Sequence, residues 1–304
     1  MGQAVRVQNT KFKQAVKIIA GVKSPAILSL PTKPNTPITD MQKSTWLIYG
    51  KKKVGKTSLA ARFPGALIFS FEPGARELSV YNVEIPPGTR GNPGWNNFIK
   101  YIDLLEKTKH QFQTAVIDTG FEAYNRCLEY VCWQNGWDYP SEGKDRGIGW
   151  KKVSDEFHRQ LLRMQQMAMG FVVLCHDKMI ECETRAGQKF DMVVPKLSGQ
   201  ADDFFRATIA NLCYYHFRDR ERFLTIRGSD YIMAGVASET RFKTTNGDDI
   251  YSIPMGSSSS EAYNNIVRAF ENKQHESFEN ETMRYGDEEA ARSIRKKAAQ
   301  KRKD

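Results

Sequence analysis

The chain has 304 residues, 40% of them hydrophobic and 11% aromatic, with a formal net charge of +10. That is apolar material enough for a sizeable core, and a globular protein is expected. No run approaches the roughly 18 apolar residues of a membrane span, and the N-terminus lacks an apolar stretch followed by a small-residue cleavage site. The five cysteines are odd in number and sit within or beside apolar stretches, so the expectation is a soluble, cytoplasmic protein with reduced thiols and no membrane contact.

Most of the excess charge lies in residues 1–43, which carry seven Lys or Arg against Asp40. Lys11 to Gly21 can form a short amphipathic helix, and prolines 25, 31, 34 and 37 then prevent regular structure. Residues 1–43 therefore read as a basic arm and a Pro-rich linker, suited to nucleic-acid contact or to solubility.

Strands and helices alternate from residue 44. A strand at Thr45–Tyr49 leads through a glycine-rich loop into a helix over Lys56–Arg62, and a second strand follows at Ala66–Phe71. The spacing of Trp95, Phe98, Ile99, Ile102 and Leu105 predicts a helix over Trp95–Lys107. A strand at Thr114–Ile117 ends at Asp118; a helix near Glu122–Gln134, a polar loop over 135–149 and a long helix over Trp150–Met169 come next. Another strand, Gly170–Cys175, ends at His176. Such alternation implies right-handed crossovers and a mostly parallel sheet with helices on both faces, an α/β fold.

Beyond it the pattern changes to short runs, ECETR, FDMVVP, ANLCYYHFR, RFLTIRG and YIMAGVA, expected as hairpins and antiparallel strands extending the same sheet. This core spans 44–256, a capped helix occupies 257–273, and 274–304 reads as a charged flexible tail.

Gly50 to Thr57 reads GKKKVGKT. In the pattern GxxxxGK[ST] the glycines let the backbone curl around phosphates, so that several N–H groups face the anion. Gly50, Lys51, Lys52, Lys53, Val54, Gly55, Lys56, Thr57 and Ser58 are thus the expected nucleotide contacts, with Lys56 on the β- and γ-phosphates and the Thr57 hydroxyl on Mg²⁺. ATP and Mg²⁺ are the implied ligands.

Ligands of open parallel sheets bind beyond the carboxyl ends of strands, which makes three further residues candidates. Asp118, the last residue of TAVID, suits the magnesium shell; Glu72, after ALIFSF, suits activation of water; His176, after GFVVLC, suits a hydrogen bond to the γ-phosphate. Cys175, His176, Cys182 and Cys213 lack the second paired half of a zinc set.

This order of parts resembles the RecA/RadA core, and most closely the phage-encoded RecA-core ATPases associated with single-strand annealing and recombination. The resemblance covers roughly residues 44–245 and is most specific at GKKKVGKT. It implies a RecA-like P-loop core in which Glu72 acts on water and His176 senses the γ-phosphate. The family's RadA-type members carry a Lys-Asn-Arg-Phe-Gly motif whose cations act across a subunit boundary; here Glu239 to Lys243 reads ETRFK. Only Arg241, helped by Lys243, could then serve as an arginine finger in trans, because Glu239 replaces the lysine.

The resemblance also implies ring or filament assembly and two DNA-facing loops, which match 135–152 and 178–200 by position. Their cations and aromatics, Lys144, Arg146, Trp150, Lys151 and Lys152 in the first and Lys178, Arg185, Lys189, Phe190 and Lys196 in the second, suit a single strand. Acidic residues lie among them. The expected function is ATP-dependent recombination on single-stranded DNA, alone or with other phage recombination or replication proteins. The alternatives are a replication helicase or helicase loader, and a nucleotide-gated DNA-binding module with negligible turnover. A small-molecule kinase is disfavoured, since no arginine-rich lid is evident.

Overall fold

A computed structural model describes residues 30, 32–34, 38–89, 94–143, 147–185, 187 and 189–273. The expected helix at Lys11 to Gly21, the tail 274–304, Lys144 and Arg146 lie outside the described residues. The chain divides into two units, 1–37 and 38–304, and the second carries every element below. Met41, ahead of the expected boundary at 44, is already buried in its core.

In chain order the elements are β1 (Thr45–Tyr49), α1 (Lys56–Ala60), β2 (Ala66–Ser70), β3 (Tyr81–Glu84), α2 (Gly94–Lys107), β4 (Thr114–Asp118), α3 (Gly120–Asn135) and α4 (Ile148–Gln166). There follow β5 (Gly170–Cys175), β6 (Asp177–Glu183), β7 (Lys189–Pro195), α5 (Gly199–Thr208), β8 (Asn211–Arg218), β9 (Glu221–Thr225), β10 (Gly235–Val236), β11 (Ser252–Pro254) and α6 (Ser259–Phe270).

The main sheet runs β11-β9-β8-β1-β5-β4-β2-β3, with β10 also paired to β8. The six strands from β8 through β3 are mutually parallel. The inner four, β1, β5, β4 and β2, read as near-continuous apolar runs because helices cover both faces. Leu47 and Tyr49 point into one core with residues of α2, α3, α4 and α5, including Trp95, Phe98, Phe157 and Phe205. Trp46 and Ile48, of opposite parity, point into the other with Leu59 of α1 and Ile266 of α6. The α/β class and the mostly parallel sheet are as the alternation predicts.

The second half departs from expectation in three ways. First, β8 pairs parallel with β1, Trp46 against Asn211, where an antiparallel addition was expected. Parallel pairing needs a crossover, and α5, a helix not expected from GQADDFFRAT, lies in that connection. Second, β6 and β7 make a separate two-stranded sheet rather than extending the main one, and β7 is tied beyond β6 by the parallel bridge of Val193 to Ile232. Third, YIMAGVA contributes just the two residues of β10, while β3 and β11 supply edges that no periodicity signalled. The sheet is antiparallel only beyond β8, at β9, β10 and β11.

Candidate nucleotide site

Four neighbouring parallel strands, β1, β5, β4 and β2, end along one edge of the sheet. The residues that follow or close them are the Gly50 loop, His176, Asp118 and Glu72. Backbone bonds lock these ends together: Gly50 N–H donates to Cys175 O at 3.2 Å, Phe71 N–H to Asp118 O at 2.6 Å, and Glu72 N–H to the same oxygen at 3.3 Å. Side chains far apart in sequence are thereby brought to one place.

The loop needs its glycines. A Cβ on Gly50 would stand 1.9 Å from the carbonyl oxygen of Tyr215, so the backbones of β1 and β8 approach where no side chain fits. Gly55, the N-cap of α1, has φ of 107°, which glycine adopts without strain. Lys56 is 6% exposed, and its Nζ donates to Gly50 O at 2.7 Å and Lys51 O at 2.8 Å. Burial pushes the Lys56 ammonium pKa down, and Asp118, then Asp177, oppose that.

Thr57 Oγ1 donates to Asp118 Oδ2 at 2.7 Å. Burial raises the pKa of the Asp118 carboxyl, against the lowering effect of that hydroxyl. Glu72 is held on both oxygens: Thr119 Oγ1 donates to Oε1 at 2.8 Å, and His176 Nε2 lies 3.2 Å from Oε2. The His176 hydrogen bond, more than Thr119, pulls the Glu72 pKa down to about 2. His176 Nδ1 is buried without a hydrogen-bond partner among the described residues.

This donor set fits a magnesium nucleotide. A hydroxyl and a carboxylate in contact offer oxygen to a hard cation, a buried ammonium beside glycine-rich backbone suits phosphate, and His176 retains one buried polar atom with no partner among the described residues. Among the described residues no group of three or more His, Cys, Asp or Glu is arranged to hold a metal. Cys127, Cys175 and Cys213 are buried thiols whose pKa burial raises.

Arg241 is elsewhere. Its guanidinium lies over the ring of Phe270, 5.1 Å from the centroid. Phe242 beside it packs on Trp46 at 6.1 Å, near the start of β1, whereas the phosphate loop leaves the end of that strand. Lys243 is paired with Asp249 at 2.5 Å. Neither cation serves the nucleotide site of its own chain in this arrangement.

Of the expected DNA-facing residues that are described, all but Arg185 have partners within the chain. Lys151 pairs with Asp155 at 2.8 Å, Lys189 with Glu181 at 2.7 Å, and Lys178 Nζ donates to Leu197 O at 3.2 Å. Lys152 Nζ donates to Asn135 at 2.6 Å and covers the Trp137 ring; Lys196 covers Phe121. Trp150 meets Tyr139 edge-on and Phe190 meets Tyr231, while Arg185 is exposed. In and just ahead of the first region are aromatics that sequence reading passed over. Trp133, 43% exposed, and Trp137 line a cleft of about 350 Å³ with Leu128, Gly88 and Thr89.

Sequence reading likewise missed Thr119, Tyr215 and Arg222. Thr119 follows Asp118 directly and was within reach as a polar residue at a strand end. Tyr215 and Arg222 arrive from β8 and β9 and touch the loop only through the tertiary fold; Arg222 Nε donates to Val54 O at 3.1 Å.

A glycine-rich loop after a central parallel strand, its lysine turned inward and its threonine joined to a carboxylate from another strand end, defines a P-loop nucleotide-binding protein. Within that class, the profile of the family described as "AAA domain" matches residues 42–238, and the chain belongs to that family. The SPbeta prophage-derived uncharacterized protein YorG of Bacillus subtilis (strain 168) is 28% identical over 132 residues. That match covers 42% of this chain and 38% of the relative, so well under half of the relative's length is spanned. A KaiC-like protein of Pyrococcus horikoshii OT3 aligns in structure over 72% of this chain and 88% of its own, at 13% identity and a TM-score of 0.39. Among the described residues no helix is long and apolar enough to cross a membrane.

Proposed function

We propose that this protein is a Mg²⁺-dependent ATPase that acts on single-stranded DNA in recombination, in a phage or prophage setting. The observation that carries the ATPase reading is the convergence of Lys56, the Thr57–Asp118 pair, Glu72 and His176 on one edge of the sheet. Magnesium held by Thr57 and Asp118 would neutralise phosphate charge. Lys56 turns from its two loop carbonyls to the phosphates, Glu72 orients the attacking water, and His176 reports on the γ-phosphate through the bond it shares with Glu72.

The DNA reading is supported by the resemblance to recombination ATPases and by the prophage origin of the relative. The surface aromatics Trp133, Trp137, Tyr139 and Trp150, with Lys152 over one of them, also suit base stacking. Arg241 would complete the site from a neighbouring subunit, since it stands apart from the nucleotide of its own chain.

Phosphate release from ATP, measured with and without a single-stranded oligonucleotide at low salt, tests this reading. Stimulation by DNA is expected; no stimulation and no binding would remove the recombination function. Unwinding of a forked duplex would move the assignment to a replication helicase. One observation favours a nucleotide-gated binding module: both oxygens of Glu72 are already engaged, and its low pKa makes it a weak base.

A further inference from the structure

Arg222 stands on β9, two strands from β1, yet its side chain reaches the phosphate loop. Nε donates to the Val54 carbonyl at 3.1 Å, Nη1 reaches the Ser257 carbonyl at 3.4 Å, and the guanidinium lies 5.2 Å from the centroid of Phe217. A Cβ on Gly55 would be 3.7 Å from the Tyr215 hydroxyl and 4.0 Å from Arg222 Nε. The loop at Gly55 is therefore flanked by one aromatic and one cation.

The physical need is specific to this kind of loop. For N–H groups to converge on an anion, the carbonyls between them must turn outward, and little inside the loop holds them there. Val54 N–H makes only a 3.5 Å contact with Lys51 O. The carbonyls of Gly50 and Lys51 rest on Lys56, which leaves them when it turns to phosphate. The Val54 carbonyl rests on Arg222, which belongs to another strand and has no such second duty. Arg222 also ties the loop to the segment ahead of α6, where Ser257 N–H and the N-cap Ser258 are fastened to Glu261.

We propose that Arg222 is a positioning residue for the nucleoside di- or triphosphate. It fixes the outward turn of the Val54 carbonyl, so that the following N–H groups point at the phosphates with Lys56 withdrawn. The proposal rests on reading GKKKVGKT as the phosphate loop. Its fork of donors is the relevant chemistry, because one ammonium does not reproduce two fixed directions.

The test is titration of the full chain with a fluorescent N-methylanthraniloyl ADP or ATP and magnesium. The variants are R222A, R222K and, as a control, K56A, each with a melting curve in the absence of nucleotide. Loss of one charge-assisted hydrogen bond predicts nucleotide binding weakened about tenfold in R222A. R222K should remain impaired, and millimolar guanidinium ion should restore R222A towards wild type. In turnover, KM should rise more than kcat falls. Binding by R222A within twofold of wild type, while K56A has lost it, would overturn the proposal. So would a lowered melting temperature with unchanged affinity of the folded protein, which is the signature of a merely structural role. No binding by the wild-type chain overturns the phosphate-loop reading itself, and this one with it.

Discussion

Substituting Gly50 by alanine places a methyl group where backbone already stands. The new Cβ would lie 1.9 Å from the Tyr215 carbonyl oxygen and 3.0 Å from its carbon. Contact between such atoms begins at about 3.3 Å, so the loop and β8 must part by more than about 1 Å. Neither side can rotate away, because the obstacle is main chain, and Tyr49 and Tyr214 just before it are register partners in paired strands. Overpacking of this kind costs about 1–3 kcal/mol of stability. The functional loss is larger, since a displacement of about 1 Å at a reacting centre costs up to about 10²-fold. G50A should keep a cooperative urea transition at a lower midpoint while phosphate release falls by about two orders of magnitude. Turnover within twofold of wild type at an unchanged midpoint would refute the reasoning, because it would mean the strands had yielded at no cost.

Replacing Glu72 by Gln keeps the shape and the Thr119 contact but removes the base; turnover should drop by about 10²–10⁴ with nucleotide affinity retained, and normal phosphate release in E72Q would exclude Glu72 from the chemistry. His216 is buried and bonded to Thr225 at 2.9 Å; burial, then Arg218, lowers its pKa from 6.5 to about 4. The fold binds the neutral ring, so this contribution is complete above pH 6.5 and is lost as pH falls towards 4, amounting to at most about 3 kcal/mol. Urea midpoints measured at pH 7.5, 6 and 5 should decline accordingly, and H216Q should show a flatter profile; identical profiles would contradict this account. W133A and W137A should each weaken binding of a single-stranded oligonucleotide by about 1–3 kcal/mol, read by anisotropy, whereas unchanged affinity in both would place the DNA contact elsewhere.

The legible parts of the chain are those whose physics is local. GKKKVGKT announces its backbone because glycine alone tolerates the bend at Gly55 and the close approach at Gly50. TWLIY, ALIFS, TAVID and GFVVLC read as buried parallel strands because both faces are covered, and their ends nominate Asp118, Glu72 and His176. Helix α2 was visible from the spacing of its apolar residues, and α6 from its serine cap. The serine cap shows the rule again: Ser258 bonds the Glu261 N–H three residues on.

The amino-acid order thus determined which residues would be buried, where the backbone would turn and which polar groups would close strands. It did not determine neighbours. An apolar run states that it is covered, not by which strand, so the parallel pairing of β8 with β1, the separation of the β6–β7 hairpin from the main sheet and the role of α5 emerge only when the chain is folded. The same holds for the site: Thr57 with Asp118, Glu72 with His176 and Val54 with Arg222 are pairs separated by 61, 104 and 168 residues. Hydrogen bonds reach about 3 Å, and only the packing of the sheet sets such distances.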